Sequence, residues 1–201
     1  MPAPIEFYFD FSSPYAYLAS ERIEALAARH GREVKFKPIL LGAVFKATGG
    51  APLTEGMTVK GTYSVHDFGR SARYEGIPYA MPNPFPIATV TAARAMLWLA
   101  REQPARAAPF MHAAFRAYFA DGRDISQPAV VGEVLRECGV DAERALAGAG
   151  EQDIKDQLKA QVEGAIVRGV FGAPTIFVDG EMFWGNDRLP QIDRWLASGG
   201  F

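Results

Sequence analysis

The sequence predicts an α/β fold in which a βαβ unit at the start of the chain and a ββα unit at its end are separated by an inserted all-helical block. Three observations carry that reading. Two β-prone runs, residues 5 to 11 and 33 to 39, bracket one helical pattern; apolar residues recur at helical spacing through the middle; and two short β-prone runs flank Asp179-Gly180 near the end. With 201 residues, 49% of them apolar and 22% charged, the chain can bury a sizeable core as one globular domain, which excludes a disordered protein.

IEFYFDF, residues 5 to 11, is a strand by its aromatic and branched side chains, and Ser12-Ser13-Pro14 interrupts it. Ser13 is placed to N-cap the helix that follows, with Pro14 at the first helical position, where a missing N–H leaves nothing unpaired. Tyr17, Leu18, Ile23, Leu26 and Ala27 recur on one face until Gly31 stops the helix. EVKFKPI, residues 33 to 39, alternates as a second strand, and the crossover makes the two strands parallel. Residues 40 to 57 read as a long loop of the kind that frames sites, with weak helical character at Ala43 to Lys46 and a turn at Gly49-Gly50-Ala51-Pro52. Helices are expected at about 58–75, 88–101, 105–120, 127–138 and 151–168, with a proline-rich turn (Pro82, Pro84, Pro86) before the second. Thr175 to Val178 and Glu181 to Trp184 form a hairpin around Asp179-Gly180, because both turn positions favour positive φ. Asn186 or Asp187 is expected to cap a short last helix ending near Ser198-Gly199-Gly200.

This order is that of a thioredoxin-like fold. Its thioredoxin-like part is expected at about 1–40 and 151–201 of a single domain, 1–201, with the helical insertion at about 58–150. Lys and Arg number 21 and Asp and Glu 23, a net charge of -2 with the signs interspersed, so no positive field is available to hold nucleic acid. No apolar run approaches the roughly 18 residues of a membrane span, and the first residues carry no signal-type block; a soluble, cytoplasmic protein is expected. Cys138 has no partner for an internal disulfide and is expected to pack as a small apolar group near a helix end. His30, His66 and His112 lack ligand spacing, so solvated or helix-surface roles and no metal site are expected.

FYFDFSSPYAYL, PILLGAVFKATGG, IPYAMPNPFP and GVFGAPTIFVDGEMFWGNDRL together resemble the 2-hydroxychromene-2-carboxylate isomerases and the related kappa-class glutathione transferases, in the DsbA-like branch of the thioredoxin fold. The resemblance spans nearly the whole chain and implies glutathione as cofactor. Ser13-Pro14-Tyr15-Ala16 stands where a thioredoxin-like oxidoreductase carries C-x-x-C, so dithiol exchange is excluded at this position. What remains is a helix N-terminus with free N–H groups and a hydroxyl, which favours a bound thiol as its thiolate. By the resemblance Ser13, rather than Ser12, orients the glutathione sulfur, a role compatible with capping.

Ala173-Pro174-Thr175 resembles the cis-proline loop whose backbone pairs with the peptide part of a thiol ligand, so Ala173 joins the glutathione site. Asn186 and Asp187 match residues that hold the γ-glutamyl end, and Lys60 matches a lysine that meets a glutathione carboxylate. The family's asparagine in the preceding loop is replaced by Gly50, which removes a polar contact. Lys46 matches an isomerase lysine and either meets a substrate carboxylate or stays solvated. Phe11, Phe45, Phe85 and the turn from Tyr79 to Pro86 either line an aromatic pocket or belong to the core.

The resemblance implies a glutathione-dependent cis-trans isomerase of 2-hydroxychromene-2-carboxylate or a similar unsaturated aromatic keto acid, in aromatic-compound catabolism, and a homodimer. Thiolate addition makes the conjugated double bond a rotatable single bond, and elimination restores it in the other geometry. A kappa-like transferase that releases the adduct, and a non-catalytic thioredoxin-fold binding module, are the alternatives.

Overall fold

The computed structural model describes residues 2–201, apart from the side chain of Met57. Strand β1 (Ile5–Phe9) lies inside a four-stranded sheet, parallel to β2 (Val34–Pro38) and antiparallel to β3 (Thr175–Val178), which pairs in turn with β4 (Glu181–Trp184); the order is β2-β1-β3-β4. Phe7 sits opposite Phe36 on one side and Ile176 on the other. The last two strands meet at Asp179 (φ 51°) and Gly180 (φ 94°), the turn that the sequence predicts. β1 is shorter than the apolar run that encodes it, because the chain turns at Asp10, whose C=O accepts the Ser13 N–H at 2.9 Å.

Helix α1 (Pro14–Arg29) connects the two parallel strands, and α2 (Leu41–Thr48) follows β2, longer than the weak signal at 43–46 suggests. A single 3-10 turn (Glu55–Met57) leads to α3 (Val59–Glu75), α4 (Val90–Glu102), α5 (Pro104–Phe119) and α6 (Pro128–Glu137), each within two residues of its predicted start. The sequence reading misses α7 (Ala142–Ala149), eight residues with two glycines at its end; Asp141 caps it by accepting the Arg144 N–H at 3.1 Å. Gly148 is required there because a Cβ would stand inside the indole of Trp98 on α4. Helix α8 (Gln152–Val167) packs against α4, α2 and β2, and α9 (Leu189–Ser198) against α1. The predicted cap of α9 is corrected: Asn186 and Asp187 lie in a 3-10 turn (Asn186–Arg188), Arg188 holds the N-cap position, and no side chain caps the helix.

The core is an aromatic stack between sheet and helices. Phe9 and Phe11 are 5.1 Å apart, Phe11 and Phe115 on α5 5.1 Å, and Tyr17 on α1 stacks on Phe119 at 5.5 Å. All are fully buried, each side chain contributing about 1.5–3 kcal/mol, so α1 is locked on the sheet with its first turn at the carboxyl end of β1. Phe11 therefore belongs to the core and lines no pocket. Two tyrosines anchor the proline-rich loop: Tyr17 Oη donates to Pro78 C=O and Tyr118 Oη to Pro84 C=O, both at 2.8 Å. Among the described residues no helix is long and apolar enough to cross a membrane, and no group of three or more His, Cys, Asp or Glu side chains is placed to hold a metal.

Candidate active site

The head of α1 distinguishes two adjacent hydroxyls. Ser13 has extended backbone angles (φ -100°, ψ 112°), and its Oγ accepts the Ala16 N–H at 3.2 Å, so it is the N-cap that its place before Pro14 predicts. The same Oγ donates to Ala173 C=O at 3.0 Å, across 160 positions of sequence. Ser12 instead turns away, its Oγ accepting the Ile87 N–H at 3.2 Å. No residue of the first turn of α1 is itself acidic, and the helix end directs its partial positive charge toward Ser13.

The partner loop comes from the far end of the chain. The Ala173–Pro174 peptide is cis, and Pro174 C=O accepts the Gly185 N–H at 3.0 Å, which draws the end of β4 to the same place. Gly185 has φ 117°, and a Cβ there would collide with the Asp187 carboxylate, so only glycine lets Asp187 fold back under the turn. Asn186 is buried, with Oδ1 3.4 Å from Arg22 Nη1 on α1; Arg22 also pairs with Glu75 at 2.6 Å. Asp187 remains largely exposed beside Arg188, at 3.1 Å. Ser13, Ala173, Asn186 and Asp187 thus border one end of the sheet.

Tyr15, two residues beyond Ser13, links this group to α3. Its Oη donates to Asp67 Oδ2 at 2.5 Å, and its ring meets Phe68 edge-on at 5.0 Å; Phe85 follows at 6.3 Å from Phe68. Burial first, then the bond to Asp67, then the charges of Asp67, Tyr63 and Asp187 push the Tyr15 phenol well above its ordinary value. Lys60 is exposed in the first turn of α3, seven residues before Asp67 and so on the same face about 10 Å along the axis. Its ammonium has no polar partner among the described residues. Lys46 is likewise exposed, in the last turn of α2, and no hydrogen bond or ion pair joins it to the Ser13 group among the described residues. At Gly50 a Cβ would lie 2.8 Å from the Phe45 ring, so the aromatic occupies the space an asparagine would need.

Several residues here were not singled out by the sequence reading. Tyr15 stands in the Ser-Pro-Tyr motif, but its partner Asp67 is on a helix whose docking no local pattern reveals. Asp10 carried a visible signal, a carboxylate inside an apolar strand. Arg22 carried none. Cys138 caps the end of α6, half-buried against the core, and burial first and Glu137 second push its thiol up, so it contributes little thiolate. Two histidines are bonded rather than solvated: His30 Nε2 to Asp193 at 2.7 Å, and His112 to Glu21 at 3.0 Å and Glu24 at 2.7 Å. A depression of about 440 Å³ on the other flank of α3, between His66, Arg73, Tyr79 and Met81, includes Tyr79 and Met81 of the candidate aromatic turn but none of Ser13, Lys46, Lys60, Ala173, Asn186 and Asp187.

Residues 4–197 match the DSBA-like thioredoxin domain. The 2-hydroxychromene-2-carboxylate isomerase of Pseudomonas putida is 35% identical over 198 residues, covering 96% of this chain and 94% of that one. A solved structure of a 2-hydroxychromene-2-carboxylate isomerase superposes with a TM-score of 0.84 at 30% identity, over 96% of this chain and 94% of the other. Glutathione S-transferase kappa 2 of Caenorhabditis elegans is 26% identical over 205 residues, 96% of this chain and 91% of its own. Likeness in both sequence and backbone over nearly the full length of each chain has one meaning: this protein belongs to the 2-hydroxychromene-2-carboxylate isomerase family, within the DSBA-like thioredoxin domains.

Proposed function

We propose that this protein is a glutathione-dependent cis-trans isomerase of 2-hydroxychromene-2-carboxylate or a closely similar unsaturated aromatic keto acid. The observation that carries the reading is the Ser13 Oγ to Ala173 C=O bond of 3.0 Å at the amino end of α1. It puts a hydroxyl, the Tyr15 N–H of the first helical turn and the cis-proline backbone within one ligand's reach. The residues present fit glutathione: Ala173 pairs with its peptide, Asn186 and Asp187 take the γ-glutamyl end, and Lys60 meets a carboxylate. Bound there, glutathione supplies a thiolate that adds reversibly to the conjugated carbon of the substrate, so that the former double bond rotates before it is restored.

The chain's own groups do the rest. The Ser13 proton swings about the Cβ–Oγ bond from the Ala173 carbonyl to the sulfur, leaving that carbonyl for the ligand's peptide N–H. The α1 dipole and this hydroxyl together lower the thiol's pKa, as helix ends do for cysteines. Tyr15 and Phe85, both part-exposed, offer aromatic surface on the substrate side with the buried Phe68 ring packed behind them, and Lys46 is the candidate partner for the substrate carboxylate.

Purified protein with glutathione is expected to convert 2-hydroxychromene-2-carboxylate to its benzylidenepyruvate isomer, and Ser13→Ala to slow this about 100-fold. Equal turnover without glutathione overturns the reading. The kappa-class relative supports a second activity, conjugation of electrophiles, and the mass of the product separates a released adduct from an isomer. Failure to bind glutathione at millimolar concentration in calorimetry favours a non-catalytic binding module instead. A cytoplasmic setting, where thiols stay reduced, and a homodimer belong to the same reading. Sedimentation at the mass of one chain overturns the dimer.

A further inference from the structure

Asp10 is a carboxylate at the end of an apolar strand, 5% exposed, and among the described residues no cationic side chain is within 4 Å of it. Its partners are all hydrogen-bond donors. Oδ1 accepts the Ser12 N–H at 2.9 Å and the Thr89 hydroxyl at 2.7 Å, and Oδ2 accepts the Leu41 N–H at 2.7 Å. Each donor stands at the amino end of a helix: Ser12 precedes the N-cap of α1, Leu41 is the first residue of α2, and Thr89 is the N-cap of α4. A charge buried without a counter-ion is costly, and three helix ends converging on it are a compensation that only a carboxylate in this place can use. The Asp10 C=O also takes the Ser13 N–H at 2.9 Å.

One side chain therefore joins three segments, the Ser13 turn, α2 with Phe45 and Lys46, and the turn before α4 with Phe85, which the functional reading above assigns to the substrate side. Ala173, Asn186 and Asp187 come from the other end of the chain and make no bond to it among the described residues. We propose that Asp10 is a positioning residue, which sets Ser13, α2 and the turn into α4 in one arrangement and so aligns the aromatic substrate against the thiol site without touching either ligand. The kinetic part of this inference rests on the glutathione reading above; the structural part does not.

Two variants test it. Asp10→Asn keeps the size but turns an amide NH2 toward a backbone N–H, and Thr89→Val removes one donor at constant volume. Hydrogen exchange is read first: both variants are expected to exchange about tenfold or more faster together in residues 11–18, 41–48 and 87–92, with β3 and β4 unchanged. In turnover, kcat is expected to fall about tenfold or more and the KM for the aromatic acid to rise, while glutathione affinity in calorimetry, held also by Ala173, Asn186 and Asp187, falls by less than kcat does. Thr89→Ser is expected to restore both readouts. Faster exchange spread evenly over the sheet, or wild-type exchange in all three segments, overturns the proposal, as does a loss of glutathione affinity matching the loss of kcat. If Asp10→Asn does not fold, Thr89→Val and Thr89→Ser carry the same readouts. Glutathione-independent turnover by the wild type overturns the functional reading alone, and the exchange pattern still decides Asp10.

Discussion

Ser12 and Ser13 carry the same hydroxyl one residue apart, yet one secures the loop before α4 and the other faces the cis-proline backbone. The difference follows from the helix start: the N-cap geometry at Ser13 directs Oγ over the first turn, while Ser12 sits in the turn that Asp10 holds. Ser13 was legible in the sequence because a cap is a local feature. Asn186 was legible as polar, but its orienting partner Arg22 was not, being 164 residues away. Asn186→Ala is expected to raise the glutathione Kd about tenfold in calorimetry, the effect of one hydrogen bond to a charged ligand, and Arg22→Met to raise it less. An Arg22→Met effect larger than that of Asn186→Ala overturns the idea that Arg22 acts through the asparagine. Gly50 has a physical account too: Phe45 fills the place of the side chain it lacks.

Helix α1 is held along its length by side chains of other elements, by Asp67 at Tyr15 and by Asp193 at Arg29. At its middle, Glu21 and Glu24 receive His112 of α5, and Arg116 also bonds Glu21. Burial lowers the pKa of His112, but the hydrogen bonds and charges of the two glutamates outweigh it and hold the imidazole above its ordinary value. The sign follows: this clamp stabilises fully below about pH 6.5 and fades as pH rises through the higher folded-state value. His112→Gln is therefore expected to lower the melting temperature more at pH 6 than at pH 9, and an equal loss at both overturns the assignment. At α7 the determinant is space. Gly148→Ala is expected to cost about 1–3 kcal/mol in urea unfolding, because the methyl group displaces the Trp98 indole. That close approach is why α7 escaped the sequence reading: glycine at a helix end reads as a stop, and here it marks a contact.

Across the whole molecule, strands, helices and the returning hairpin are tied by a charged cluster on one face of the sheet. Glu6 on β1 meets Arg168 after α8 at 2.8 Å and also pairs with Lys37 on β2, while the Arg168 guanidinium lies 4.0 Å over the Phe177 ring on β3. The Arg168 bond first, against the opposing effect of burial, and then Lys37 bring the Glu6 carboxyl down to about 2. Its contribution is present above the ordinary carboxylate range and is lost as pH falls through about 2, so the difference in urea midpoint between wild type and Glu6→Gln is expected to shrink steadily from pH 5 downward. A constant difference overturns it. The order of elements apart from α7, the parallel first pair, the Asp-Gly hairpin and the capping serine were determined by the sequence itself, since each rests on periodicity or turn chemistry within a few residues. The absence of a C-x-x-C motif at the head of α1 was equally plain, and with it the exclusion of dithiol exchange there. Only the tertiary structure decided that Ser13 rather than Ser12 meets Ala173, that Phe11 is core, that Tyr15 bonds Asp67, and that three helix ends converge on Asp10. Apart from the Asp10–Ser12 bond, those pairings join residues tens to more than a hundred positions apart, and no local pattern encodes a contact that exists only once the sheet has brought distant parts of the chain together.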